Sequence, residues 1–202
     1  MRFSNQLLGF VIIFLTMIEM FTIPKGYFVL GSIVATSCMI LITPLLTRYF
    51  SLFAPTVKTV TVGIFAAVIL YLIFLGGNNL VGTYTPFGIG AQNEDNIYSL
   101  FSSTPMTLKI IVFGLDAVGF ESYFRGNLQN LISSKFGFAS VFIVALIDAA
   151  IHLATFNPLF SITTFIADSV WGLEFHITKD IYSAMASHFF WDMLVFVILP
   201  IT

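Results

Sequence analysis

Charge is what this sequence has least of. Asp, Glu, Lys and Arg make up 9% of its 202 residues, where a soluble domain carries about 25%. With a mean hydropathy of +0.98, too little polar surface remains to cover a water-soluble globule. A disordered chain is excluded for the same reason. The net charge of −2 provides no basic patch for phosphates, so nucleic acid is not an expected partner. Cysteine is almost absent. Cys38 stands alone in an apolar run, which excludes an intramolecular disulfide and a cysteine-based metal cluster. It reads as a small packing residue. Neither an internal repeat nor a low-complexity tract is present.

Apolar runs dominate instead. A membrane-crossing helix needs about 20 mostly apolar residues, and seven runs qualify: 5–23, 27–47, 57–75, 106–133, 137–156, 159–175 and 180–200. The runs are continuously apolar, not alternating, which argues against a β-barrel. The expected fold is therefore all-α, a polytopic transmembrane bundle of about seven helices in one domain, 1–202. Pro24, Pro44, Pro55, Pro105 and Pro158 sit at or near run boundaries, where proline is best tolerated. The first run reaches Ile23 with no small-x-small cleavage pattern after it, so it reads as a retained signal anchor. Residues 1–75 are expected to supply packing helices, 76–105 a polar loop holding Glu94 and Asp95, and 106–200 the functional core. Arg2, Arg48, Lys58, Lys135 and Lys179 fall on one side, against Lys25 and Lys109 on the other. That bias places the N-terminus inside and the C-terminus outside; the chain is expected to be integral to a membrane, the bacterial cytoplasmic membrane, with lipid as the surrounding partner.

Ionisable residues within apolar spans are costly, roughly 2.5–3.5 kcal/mol each at mid-membrane, and mark sites or structural pairs. Well inside the first three runs lies only Glu19. The last four hold Asp116, Glu121, Arg125, Asp148, His152, Asp168, His188 and Asp192. Three pairs are spaced by four: Glu121 with Arg125, Asp148 with His152, His188 with Asp192. Each pair therefore shares a helix face. At about 1.5 Å per residue, Glu121, His152, His188 and Asp192 lie about 14–22 Å from the cytoplasmic ends of their helices. Independent ion pairs have no reason to agree in depth, so a shared site is expected. Asp168 lacks a partner at four residues and reads as a bundle-interior hydrogen-bonding group. His176, beside Glu174, reads as interfacial, and Trp171 and Trp191 read as packing residues or interfacial anchors.

At Glu121-Ser122-Tyr123-Phe124-Arg125-Gly126 the sequence resembles the CAAX-protease and bacteriocin-processing family (Abi, type II CAAX prenyl endopeptidase) of intramembrane proteases. That family carries Glu-Glu-x-x-x-Arg, then Phe-x-x-x-His, then His-x-x-x-Asn/Asp on successive helices. Glu121 and Arg125 fit the second Glu and the Arg, His152 fits the second motif, and His188 with Asp192 fits the third. The likeness covers about 106–200. Phe120 stands where the family has its first Glu, Asp148 where it has Phe, and Asp192 where it commonly has Asn. The resemblance implies hydrolysis of a peptide bond in or beside the membrane, on a prenylated or bacteriocin-like peptide or protein substrate, with no cofactor. In the corresponding assignment His152, assisted by Glu121 or Asp148, activates water. His188, held by Asp192, stabilises the intermediate, and Arg125 fixes Glu121. Asp116, one turn from position 120, is a further acid on that face.

Three other readings stay open. Asp148, His152, His188 and Asp192 make a sensible ligand set for zinc or another divalent metal. A catalytically altered relative would bind a membrane peptide or protein, as an immunity or regulatory factor. Intramembrane acid–histidine sets also serve proton relays in transporters.

Overall fold

The computed structural model describes residues 3–47, 55–84 and 98–201. Among them no strand occurs, and the chain folds as an all-α polytopic bundle. Its α-helices are α1 (Phe3–Thr22), α2 (Phe28–Leu46), α3 (Val57–Tyr84), α4 (Met106–Glu121), α5 (Asn130–Phe136), α6 (Ser140–His152), α7 (Pro158–Thr178) and α8 (Ile181–Met193). A π-helical segment, Ser122–Gln129, joins α4 to α5 without a break, and a second one, Leu194–Ile198, continues α8.

Among the described residues, five stretches are long and apolar enough to cross a membrane: Asn5–Thr22, Lys25–Leu46, Val57–Asn78, Met106–Thr155 and Ile181–Ile198. The fourth, at 50 residues, far exceeds one crossing. It turns at Gly137, whose φ of 53° is open to glycine at little cost. The seven apolar runs thus each coincide with helix, yet α6 has only 13 residues and is short of a full crossing. The run holding α7 carries Asp168 and Glu174 and is not among the five.

Local signals set the boundaries. Asn157 caps α7 by accepting the Phe160 amide at 3.2 Å, with Pro158 at the first helical position. Asp180 caps α8 by accepting the Tyr182 amide at 2.9 Å. Pro44 lies near the end of α2 as expected, within its last turn. Helix α3 also runs through Gly76 and Gly77 to Tyr84, past the expected start of the polar loop. At the loop's far end Phe101 is buried against Phe28 and Phe113. Arg2, Arg48, Glu94, Asp95 and the middle of that loop lie outside the described residues.

Helices α6 and α7 pack as one antiparallel pair, and α3 lies along α8. Small residues bring that second pair close. A Cβ on Gly63 would meet Ala186 Cβ at 2.6 Å and the Ser183 carbonyl oxygen at 2.6 Å, the close approach expected where lipid gives no hydrophobic drive between helices. Leucines 7, 8, 15, 41, 45, 72 and 146 are exposed, whereas Glu121, Arg125, Asp148, His152, Asp168, His188 and Asp192 are buried. An apolar exterior around an ionisable interior is the arrangement a bilayer demands. The polar interior sits where α4, its π segment, α6, α7 and α8 converge.

Candidate active site

Arg125 organises the deepest layer. It is 0% exposed. Its Nε donates to Glu121 Oε2 at 3.0 Å, and one terminal nitrogen donates to Asp168 Oδ1 at 2.5 Å. The planar guanidinium suits such a fork. Asp168, which had no visible partner in the sequence, is therefore held across 43 positions by the neighbouring helix. Glu121 spends its other oxygen on α8: His188 Nδ1–H donates to Oε1 at 2.8 Å. One carboxylate thus ties the end of α4, the π segment and α8 together.

The two histidines are held differently. His188 lies flat on Trp171, with ring centroids 3.9 Å apart and planes 11° from parallel. Its Nε2 faces Asp192 Oδ2 at 3.6 Å. His152 is set by its own helix: Nδ1 is 2.9 Å from the Asp148 carbonyl oxygen and 3.4 Å from Asp148 Oδ1. A carbonyl only accepts, so Nδ1 carries the hydrogen, and Nε2 of the neutral ring is left as an acceptor. Phe21 and Phe160 enclose this ring at centroid distances of 4.5 and 5.0 Å.

A cavity of about 270 Å³ joins these groups. Asp116, Asp148, His152, His188 and Asp192 line it, together with Phe120, Trp171 and Trp191. Glu121 and Arg125 do not line it. Expectation and structure part here: Glu121 lies behind the wall, bonded on both oxygens, and has no face toward a bound water. Trp171 also departs from a plain packing or anchoring role, since its ring backs a cavity histidine. Sequence spacing gave no sign of that stack, because it joins two helices.

The N-terminal helices contribute as well. Phe21 and Phe28 line the cavity, and Ser32 Oγ–H of α2 donates to Asp116 Oδ1 at 2.6 Å. Residues expected only to pack therefore complete the site wall. At the far end, His176 packs edge-on against Phe138, and Glu174 is buried with Ser183 hydrogen-bonded to it. Glu174 is thus an interior group, whereas His176 is half-buried.

Among the described residues no three His, Cys, Asp or Glu side chains converge as metal ligands. Asp148 with His152 on α6, and His188 with Asp192 on α8, line the cavity as two pairs at four-residue spacing.

No curated protein and no solved structure matches the chain. Residues 102–194, which run from before α4 to the end of α8 and contain every motif residue named above, match the model of the family described as type II CAAX prenyl endopeptidase Rce1-like. Over this segment the chain is similar to that family of type II CAAX prenyl endopeptidases.

Proposed function

We propose that this integral membrane protein is an intramembrane endopeptidase that hydrolyses a peptide bond in or next to the bilayer. The observation that carries the reading is the shared cavity: His152 and His188, from helices α6 and α8, line one space of about 270 Å³. Its walls are mostly apolar, with many aromatic rings, a low-polarity surrounding that strengthens polar interactions inside. His152, backed by Asp148, holds the attacking water through Nε2. His188, held by Glu121 and flanked by Asp192, carries the developing oxyanion; when doubly protonated its Nδ1–H donates to Glu121 and its Nε2–H to the oxyanion. Glu121 and Arg125 act as positioning residues. The substrate is a membrane-associated peptide or protein, and the family's description makes a prenylated CAAX peptide the first probe to use.

The test is cleavage of such a peptide by purified protein in proteoliposomes, wild type against His152→Ala and His188→Ala. Loss in both variants supports the reading, and unchanged cleavage in either removes that histidine from the mechanism. A second reading, a binding or regulatory member without turnover, is favoured by Phe120. Its ring forms cavity wall 6.1 Å from His188, where a carboxylate would otherwise face the space. It predicts that rescue of a deletion phenotype survives His152→Ala.

A further inference from the structure

Hydrolysis needs a group that takes a proton from water and later returns it to the leaving amine. That group must face the cavity, which Glu121 does not. Three carboxylates do: Asp116, Asp148 and Asp192. Asp148 is committed to His152 and lies within reach of Arg125 and Asp168. Asp192 stands against His188 Nε2. Asp116 differs from both. One oxygen, Oδ1, is fixed by the Ser32 hydroxyl at 2.6 Å, and among the described residues Oδ2 holds no hydrogen bond. The residue is only partly buried, so the carboxylate has surface open to the cavity. It is also within electrostatic reach of His188 and Asp192.

Resting on the endopeptidase reading, we propose that Asp116 is its proton carrier, a catalytic residue positioned by Ser32 from the N-terminal half of the chain. A water between His152 and Asp116 gives one hydrogen bond to His152 Nε2 and loses its other proton to Asp116 Oδ2. The electron pair left on the water oxygen forms the bond to the carbonyl carbon, whose π pair moves onto the carbonyl oxygen beside His188. When that pair returns, the C–N bond breaks. The nitrogen takes the proton held on Asp116, leaving an amine, a new carboxyl terminus and the original carboxylate.

The geometry also offers a relocation test. Phe120 lies one turn from Asp116 on α4 and lines the same cavity. A carboxylate moved to 120 therefore faces the same space.

Turnover is measured in proteoliposomes with an internally quenched prenylated CAAX peptide and, in parallel, an unprenylated apolar peptide of the same sequence. Asp116→Asn is expected to lower kcat at least about 100-fold, within the range of acid–base contributions, with KM within about twofold. Asp116→Asn/Phe120→Glu is expected to regain about tenfold or more of that loss. Ser32→Ala keeps the carboxylate but frees it, and a drop in kcat of roughly three- to tenfold is expected, as for one lost hydrogen bond. This variant carries the test if Asp116→Asn does not fold. Wild-type kcat in both Asp116→Asn and Ser32→Ala, with His152→Ala inactive, overturns the assignment while the endopeptidase reading stands. Absence of cleavage of either peptide by the wild type overturns both.

Discussion

His188 Nδ1 lies 2.8 Å from Glu121 Oε1, and the other oxygen of that carboxylate accepts from Arg125 at 3.0 Å. A family-motif glutamate is thereby an internal clamp. It aligns a cavity histidine from behind and leaves the cavity face to other groups. The distinction matters because both Glu121 oxygens are bonded to side chains of the bundle and the residue does not line the cavity.

Removing the clamp should cost stability before chemistry. Glu121→Ala leaves Arg125 with one carboxylate fewer and His188 Nδ1 without an acceptor. A loss of about 3–5 kcal/mol is expected, as for one partner of a buried pair. Glu121→Gln keeps an acceptor for His188 and should lose less. Denaturant unfolding in detergent checks the order, and equal losses would mean that charge alone, not the hydrogen bonds, matters.

Arg125 serves two carboxylates on different helices, Glu121 and Asp168. Arg125→Met strands both and should destabilise by about 3–5 kcal/mol. Arg125→Lys should fail to restore stability, because an ammonium lacks the planar fork. The same unfolding assay decides, and a lysine variant as stable as the wild type would speak against a fork requirement.

How much of this was legible in advance follows from where each partner lies. The pairs at four-residue spacing were readable because helical geometry fixes them: Glu121 with Arg125, Asp148 with His152, and His188 with Asp192 are close at 3.0, 3.4 and 3.6 Å. Depth along the helices correctly brought His152 and His188 to one cavity. Contacts between helices carried no sequence signal. Arg125 with Asp168, Trp171 with His188, and Ser32 with Asp116 depend on crossing angles and rotation. The π segment begins directly after Glu121. Its wider turn departs from the 3.6-residue count, so a helical wheel carried on past Arg125 drifts from the true faces. Pro44 near the end of α2 was readable because proline interrupts helices, and the last turn closes from Thr47 N–H to the Thr43 carbonyl at 3.0 Å.

The α3–α8 contact predicts a steric effect. Gly63→Ala sets a methyl against Ala186 and the backbone of Ser183 and Ser187. Backbone cannot step aside as a flexible side chain does, so a loss of about 1–3 kcal/mol is expected, with a larger loss for Gly63→Leu. Thermal melts of the two variants should rank in that order.

Trp171 backs His188 at 3.9 Å. Trp171→Phe keeps an aromatic face and should keep most turnover. Trp171→Leu removes a stacking contribution of about 0.5–1.5 kcal/mol and should lower kcat roughly three- to tenfold by loosening the imidazole. Equal activity in the two variants would confine Trp171 to shaping the cavity.

The account stands on two histidines from separate helices acting on one peptide bond inside the bilayer. The most direct test is cleavage of a prenylated CAAX peptide in proteoliposomes by wild type, His152→Ala and His188→Ala, with folding of each variant verified by its thermal melt. A folded protein that loses at least about 100-fold in kcat with either change is the predicted result. Folded variants that cleave at the wild-type rate would contradict it.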